Sequence, residues 1–387
     1  MAIEQRLKGY LQYVQQHEDP IVQTMALSLI PNERFQDEMA NMTNWPYDPS
    51  IKIIFPLVNW FKNEFFKWLD QPDCSNCKAP TTEPYNAPGL DHDPSTGERI
   101  EMYRCSVCNR LERFQRYNRV EMLLDTKTGR CGEWANCFYL FLRALNLPAR
   151  YVVDWTDHVW CEVYSKSTKQ WLHIDPCEAA IDKPLLYEAG WSKQLSYVFG
   201  VNVTEIVDVT WRYVQNRKKV KVRRTECSEK ELAMSLKRLN IAVQSSLPIS
   251  EQKEWAVRRM WEFADFLTKR KVGQDEKLGR QSGSAQWRMS RGEAKFDSSN
   301  ENFTISPSET ERKSKQISIS YNCALDKYER GSSVVGGWKT LTFESSNVFR
   351  KVERDWKKAY LCRNENSTEN DVGTISWHFD LKGMYFF

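Results

Sequence analysis

No run of this 387-residue sequence is long and apolar enough to span a bilayer, and no apolar h-region opens it, so neither a membrane span nor a signal peptide is expected. Internal repeats and low-complexity tracts are missing as well. Charge is nearly balanced: 55 Lys and Arg stand against 51 Asp and Glu, and a net charge of +4 does not by itself call for a polyanionic partner. Histidine is scarce, with five in the chain, so few residues can serve as an imidazole base. What remains is a soluble globular composition, 41% hydrophobic and 27% charged, on a chain long enough for two or three domains with real cores. Eleven cysteines without a secretory leader point to thiol or metal chemistry in a reducing compartment, hence a cytoplasmic location, rather than to a disulfide framework. In that setting the sequons at Asn41, Asn202, Asn302 and Asn366 read as chance occurrences. The fifteen tryptophans serve cores or a ligand groove, since flat rings suit both.

One stretch concentrates the chemistry. After Gly129-Arg-Cys-Gly-Glu, the residues Trp134, Cys137, Phe138, Phe141, Leu142 and Leu145 recur at three- and four-residue steps, the period of a helix burying one face. Cys131 then sits at a helix start, where the dipole and the unpaired first-turn N–H groups favour thiolate over thiol. Gly132, without a side chain, would let a substrate carbonyl approach the backbone. Tyr151 to Tyr164 reads as two strands around a polar turn, and Trp171 to Pro176 as another short strand closed by proline. Alternation puts His158, Trp160 and Glu162 on one face, and Trp171, His173 and Asp175 on one face of the next strand. The order Cys, His, Asp suggests a thiol nucleophile, a general base and a residue that orients the base. His173 is a rival base, for which a supporting role beside Asp175 is the better reading.

Upstream, Cys74-Ser-Asn-Cys77 and Cys105-Ser-Val-Cys108 form two knuckles, each able to direct two thiolates at one point. Four sulfurs close a tetrahedral sphere around Zn²⁺ and leave no position for substrate, so the expected metal is structural. Two disulfides or a redox pair are the weaker readings.

The organisation around these motifs is α+β. Residues 1–44 read as helices, with Leu7, Tyr10, Leu11 and Val14 as an apolar stripe and Asp19-Pro20 as a break. Residues 45–245 carry the cysteine knuckles, at 74–108, and the Cys131 stretch. Within them Arg217 to Arg224 is basic, but its valines alternate with the charges, so a solvated strand face is expected there and no nucleic-acid partner. Residues 246–284 read as a helix with Trp255, Met260, Trp261, Phe263, Phe266 and Leu267, then a polar linker from Gly273 to Ser284. Residues 285–387 change to short strand-like runs, Gln316–Tyr321, Trp338–Phe343 and Thr374–Phe379, which mark a mostly β domain. The sequence stops inside Gly383-Met-Tyr-Phe-Phe387 with no closing turn, which leaves an incomplete domain as an open reading.

Cys131-Gly-Glu-Trp-Ala-Asn136, Asp157-His-Val-Trp-Cys-Glu-Val-Tyr164, Trp171-Leu-His-Ile-Asp-Pro176 and Gly190-Trp-Ser-Lys-Gln-Leu-Ser-Tyr197 closely resemble cytosolic peptide:N-glycanase, of the transglutaminase-like superfamily. The cysteine knuckles resemble that family's zinc-binding insertion. Gly279-Arg-Gln-Ser-Gly283 and Trp287-Arg-Met-Ser-Arg-Gly292 open a domain similar to the family's C-terminal β-sandwich, which binds oligomannose. The resemblance implies a transglutaminase-like, papain-like core with Cys131 as nucleophile, His158 as base and Asp175 as orienter. It also makes Arg150, Trp160, Glu162, Trp171 and Glu178 candidates for the groove that holds the innermost sugars. The implied reaction is deglycosylation of misfolded N-glycoproteins through a cysteine thioester, releasing the intact glycan and converting Asn to Asp. The family's N-terminal module for a segregase ATPase has no counterpart here, while the N-terminal helices match the place where the family binds a ubiquitin-receptor shuttle protein of the proteasome pathway.

A transglutaminase or a papain-like cysteine protease would use the same triad, since each breaks an amide through a thioester. A non-catalytic transglutaminase-like binding module is the rival from another class, and the intact Cys131, His158 and Asp175 weigh against it.

Overall fold

The apolar stripes of the N-terminal residues become three helices in the computed structural model, α1 (Ala2–Tyr13), α2 (Pro20–Ser28) and α3 (Asn32–Asn41). The break between the first two has a local cause. Asp19 accepts the N–H groups of Ile21 and Val22 at 2.8 and 3.1 Å, and Pro20 takes the first helical position, where its missing N–H is harmless. The structure describes residues 2–85, 91–284, 287–288, 291, 293, 303–331, 333–353, 358–363 and 372–381. The chain divides into two units, Met1–Ser284 and Ala285–Phe387.

In the first unit, α4 (Ile54–Trp60) continues through one π turn, Phe61–Phe65, into the short strand β1 (Lys67–Trp68). Then come β2 (Thr81–Pro84), β3 (Ile100–Cys105) and β4 (Leu111–Gln115), a three-stranded antiparallel sheet that carries the cysteine knuckles. Next are α5 (Val120–Thr126), β5 (Thr128–Gly129) and α6 (Cys131–Ala144). β1 and β5 pair in parallel directly before Cys131. The aromatic face of α4 and its π turn packs on α6, with the Phe61 ring 5.2 Å from Phe138 and 5.6 Å from Trp134.

The next strands are β6 (Ala149–Asp154), β7 (His158–Ser165), β8 (Gln170–Asp175), β9 (Ala180–Ile181), β10 (Val198–Val201) and β11 (Ile206–Asp208). They form one antiparallel sheet in the order β11-β10-β6-β7-β8-β9. Its two faces serve different cores. Tyr151, Val153, Cys161, Val163, Leu172 and Ile174 share a cluster with α6 and the N-terminal helices. The opposite face sends Val152 and Trp160 into a second cluster with Tyr187, Trp191, Tyr213 and Phe266. The alternation expected of the strands is what divides the residues this way.

Three helices finish the unit: α7 (Arg217–Arg223), α8 (Glu229–Gln244) and α9 (Ile249–Leu267). α7 corrects the expectation of a solvated strand. Asn216 accepts the N–H of Lys219 at 3.1 Å and caps a short helix, on which Val220 is buried and Val222 exposed, so the alternating valines do not mark strand faces. The segment Gly273–Ser284 also departs from expectation, because Arg280 and Glu276 within it are buried against the first unit instead of spanning open solvent as a linker would.

α9 is tied to the sheet by charge. Arg150, fully buried, donates to Glu162 at 2.5 Å, to Glu205 at 3.3 Å and to Glu262 of α9. Arg212 bridges Glu162 and Glu262 at 2.6 and 2.7 Å, and the Tyr213 hydroxyl donates to Glu162 at 2.5 Å. The Arg150 guanidinium also lies 3.9 Å from the Trp171 ring centre.

The second unit, where described, is built of short strands. β12 (Thr304–Ile305) precedes α10 (Glu309–Ser314), β13 (Ser320–Asn322), β14 (Lys327–Arg330), β15 (Ser333–Gly336), β16 (Glu344–Ser346), β17 (Val348–Glu353), β18 (Lys358–Arg363), β19 (Thr374–Ser376) and β20 (His378–Phe379). Ile305, Tyr328 and Leu341 form its small core, with Ile319 and Tyr321 against them. Of the expected strand runs, Trp338–Phe343 is a turn instead of a strand. The terminal Gly383–Phe387 lies outside the described residues.

Removing one member of a buried ion network strands the charge it balanced. Glu262→Ala is therefore expected to lower unfolding stability by about 3–5 kcal/mol, read as a drop in the urea midpoint. Glu254→Ala, which breaks only the exposed pair to Arg258 on the same helix, is expected to leave that midpoint in place.

Candidate active site

Cys131 is the first residue of α6, and the turn before it is heavily braced. Glu133 accepts the Arg130 N–H at 2.9 Å, and Arg116 donates to both Glu133 oxygens at 2.7 and 3.0 Å. The Trp134 indole donates to the Gly129 carbonyl at 3.2 Å. A Cβ at Gly129 would stand 2.4 Å from Glu133 Cβ, so the approach needs glycine. Nothing lies within 4 Å of where a Cβ would be at Gly132, which leaves the space before the helix start open. Cys131 itself is half-buried.

His158 opens β7 and Asp175 closes β8, and the antiparallel register brings them together. His158 Nε2 lies 2.8 Å from Asp175 Oδ2, both side chains fully buried. That contact occupies one imidazole nitrogen and leaves Nδ1, without a hydrogen-bond partner, to exchange a proton with the Cys131 thiol. Burial raises the Cys131 thiol, but His158 and after it Arg280 act against this, and the thiol is held below the ordinary cysteine value. Burial pulls the other way on His158, where the Asp175 charge wins and raises it above an ordinary histidine. Both directions favour thiolate beside imidazolium.

Asp175 stays ionised although burial opposes it, held well below the carboxylate range by the His158 charge and by hydrogen bonds. Its second oxygen accepts the Cys177 N–H at 2.8 Å, and Oδ2 also takes the Tyr187 hydroxyl at 2.9 Å. The Tyr187 oxygen in turn lies 2.6 Å from His173 Nε2, and His173 Nδ1 accepts the Lys183 N–H at 3.2 Å. The chain of donors fixes the tautomer: His173 accepts at Nδ1, so it donates from Nε2 to Tyr187, which donates to Asp175. Desolvation lowers His173 to about 4, so it stays neutral and stands behind the pair. Tyr187 is the participant that sequence reasoning missed. It lies in a π turn twelve residues past Asp175, and nothing in its local pattern marks it.

The expected groove residues are placed differently from one another. Trp160 is fully buried, its ring 4.2 Å from Tyr187 and 5.6 Å from His158. Arg150, Glu162 and Trp171 lie inside the ion network and expose no surface, so in this structure they hold the sheet to α9 instead of facing a sugar; alternation correctly joined Glu162 to the His158 face, but that face is covered. Glu178 alone of the five is half-buried, and its two oxygens accept the Gln281 and Ser282 N–H groups at 2.9 and 3.0 Å.

The knuckle cysteines meet as expected of a metal site. The Sγ atoms of Cys74, Cys77, Cys105 and Cys108 all lie within 4.8 Å of one another, with Cys74 to Cys108 and Cys77 to Cys105 at 3.4 Å. Sulfurs held about 2.3 Å from a central ion sit about 3.8 Å apart in a tetrahedron, so this set fits a metal. The two knuckles have matched backbones. Each first cysteine donates its N–H to residue 79 or 110 and takes an N–H from a left-handed residue just past the second cysteine, Lys78 or Asn109. The same sheet reaches the turn before Cys131: Glu101 of β3 pairs with Arg116 at 2.7 Å and with Arg130 at 2.9 Å. Those arginines hold Glu101 down to about 2 against its desolvation.

Comparison with known proteins places the chain. Residues 87–176 match the transglutaminase-like superfamily, 153–255 the Rad4 transglutaminase-like domain, and 279–386 the PNGase C-terminal domain, mannose-binding module PAW. The peptide-N(4)-(N-acetyl-beta-glucosaminyl)asparagine amidase of Gallus gallus is 43% identical over 381 residues, 95% of this chain and 58% of that protein. The enzyme of the same name from Mus musculus is 40% identical over 387 residues, 97% and 59%. Along almost its whole length the chain is similar to peptide:N-glycanases. It spans less than two thirds of the length of these curated peptide:N-glycanase relatives. A solved Rad4–Rad23 complex crosslinked to undamaged DNA aligns with a TM-score of 0.44 and 15% identity, over 68% of this chain and 57% of that one, a likeness too slight to argue from.

The coupled directions at Cys131 and His158 have a measurable sign. Alkylation of Cys131 by iodoacetamide is expected to rise with pH around a midpoint below that of an ordinary thiol. In His158→Ala the midpoint is expected to move above the ordinary value, because desolvation is then opposed by less; peptide mass spectrometry across a pH series reads both.

Proposed function

We propose that this chain hydrolyses the side-chain amide that joins asparagine to N-acetylglucosamine in misfolded N-glycoproteins. The observation that carries the proposal is a thiol at the start of α6 beside a buried His158–Asp175 pair, on a chain so similar to named asparagine amidases. The Cys131 thiolate attacks the amide carbonyl, and the first-turn N–H groups of α6 are placed for the developing oxyanion. His158, as imidazolium, protonates the departing glycosylamine. Water then attacks the thioester with His158 as base, freeing Cys131, so that the glycan leaves whole and asparagine becomes aspartate. Asp175 keeps His158 in the required orientation and tautomer. Of the expected groove residues Glu178 is the candidate for contact with the innermost sugars, since each of its oxygens accepts one N–H and retains a further acceptor position.

We further infer that the four-cysteine metal is zinc, since sulfur ligation in a closed tetrahedron suits that ion, and that its role is to brace β3 and through Glu101 the turn before Cys131. Outside the knuckles, Cys131, Cys137, Cys161, Cys177, Cys227 and Cys323 form no disulfide, which supports action in the reducing cytoplasm. No helix among the described residues is long and apolar enough to cross a membrane. The match at 279–386 supports oligomannose binding by the second unit. Exposed Ile21, Met25, Leu27 and Leu29 on and just after α2 support a docking role there for a ubiquitin-receptor shuttle protein.

Purified chain is expected to release free glycan from a denatured glycoprotein and to leave aspartate at the attachment site, a mass gain of about one dalton in the peptide. Cys131→Ala is expected to abolish release. Cleaved backbone, or amine incorporated at glutamine, with no free glycan would overturn the reading in favour of a protease or a transglutaminase. Metal analysis is expected to find about one zinc per chain, absent from Cys105→Ser, and a folded metal-free wild-type chain would count against the zinc assignment.

A further inference from the structure

The polar segment Gly273–Ser284 is fastened to the rest of the first unit at several points, Leu185, Glu178 and Asp70 among them. Glu276 accepts the Leu185 N–H at 2.8 Å. A Cβ at Gly190 would stand 2.2 Å from the Leu278 carbonyl oxygen, so the close passage of the two segments depends on glycine. Gln281 and Ser282 donate to Glu178, three residues past Asp175. The Ser284 N–H donates at 2.8 Å to Asp70, whose other carboxylate oxygen takes the Trp68 indole at 2.7 Å and whose carbonyl takes Arg130 Nε at 3.0 Å.

These attachments fix one side chain. Arg280 is fully buried, its guanidinium 4.7 Å from the Trp191 ring centre and 5.1 Å from that of Trp68, and its Nε donates to Ser282 Oγ at 2.9 Å. Trp191 in turn lies 4.9 Å from the His158 ring, and Trp68 lies 6.1 Å from Trp134 in the first turn of α6. The guanidinium thus lies over two rings, one of which neighbours the imidazole and the other the first turn of α6. A guanidinium keeps its charge when buried, and away from water that charge is poorly screened.

We propose that Arg280 is a positioning residue of the active site: its charge, carried in by the 273–284 strap, holds Cys131 as thiolate. The proposal rests on Cys131 as nucleophile, and needs no assumption about the substrate. The groups acting on the thiol are consistent with it. Burial raises Cys131; His158 and then Arg280 lower it, and Asp157 raises it. Arg280 also opposes the protonation of His158, an effect that Asp175 outweighs. Cys177, buried, is raised well above an ordinary thiol by desolvation and then by the Asp175 charge, and stays neutral. The thiolate is in this way favoured by His158 and then by Arg280, and the imidazolium by Asp175.

The test is the pH dependence of Cys131 alkylation by iodoacetamide in the full chain, with fold retention checked by circular dichroism. Arg280→Met fills the gap between the two indoles without charge, and its midpoint is expected to rise by about one pH unit, making alkylation roughly tenfold slower at pH values below both midpoints. Arg280→Lys, which restores the charge, is expected to stay close to wild type. An unchanged midpoint in folded Arg280→Met, or a shift in Arg280→Lys as large as in Arg280→Met, would overturn the proposal. Should Arg280→Met not fold, Arg280→Gln takes its place, uncharged but polar enough to meet Ser282 Oγ; its midpoint is expected to rise in the same direction, and no change overturns the proposal. A wild-type chain with a depressed midpoint but no glycan release would count against the deglycosylation reading alone.

Discussion

A carboxylate buried out of reach of water must be given its hydrogen bonds by the protein, and at Asp175 three are supplied, by His158, Tyr187 and the Cys177 backbone. Much of the site follows from this one charge. It holds His158 by one nitrogen, which leaves the other for the thiol. It sets the tautomer of His173 through Tyr187, and so makes that second histidine a neutral support. It also keeps the second face of the sheet closed, because the rings around it, Trp160, Tyr187 and Trp191, exclude the water that would otherwise compete.

Around that centre three separate parts converge on the first turn of α6. The knuckle sheet reaches it through Glu101 and the two arginines, Arg116 and Arg130. The short parallel pair of β1 and β5 aims the chain into it. The 273–284 strap closes it from the other side through Asp70 and Glu178. Cys131 is therefore placed by contacts with residues far apart in sequence, and the helix dipole supplies only part of its environment.

What could be read from the sequence was what depends on near neighbours. The period of α6, the parity of β7 and β8 and the pairing of cysteines in each knuckle are local patterns, and the structure has all three. Long-range geometry was not legible. Parity joined Glu162 to His158 and Trp171 to Asp175, yet whether that face meets solvent or another element depends on α9, about a hundred residues later. Arg217 to Arg223 misled because two valines two apart suit a strand as well as a helix, and the cap at Asn216 decided. The strap read as a linker because its polar residues find their partners, Glu178, Asp70 and Leu185, outside the segment.

The ion network has a consequence for how the first unit comes into being. Arg150 and Arg212 are both buried, and the carboxylates that balance them arrive in the chain at positions 162, 205, 262 and 265. A nascent chain that has reached only the end of α8 has two guanidinium groups to share between Glu162 and Glu205, with Tyr213 already drawing on Glu162. The face of the sheet behind His158 then lacks both its cover and half of its negative charge. Folding of the part that holds Cys131, His158 and Asp175 is in this sense completed from the C-terminal side, by a helix that carries none of the three.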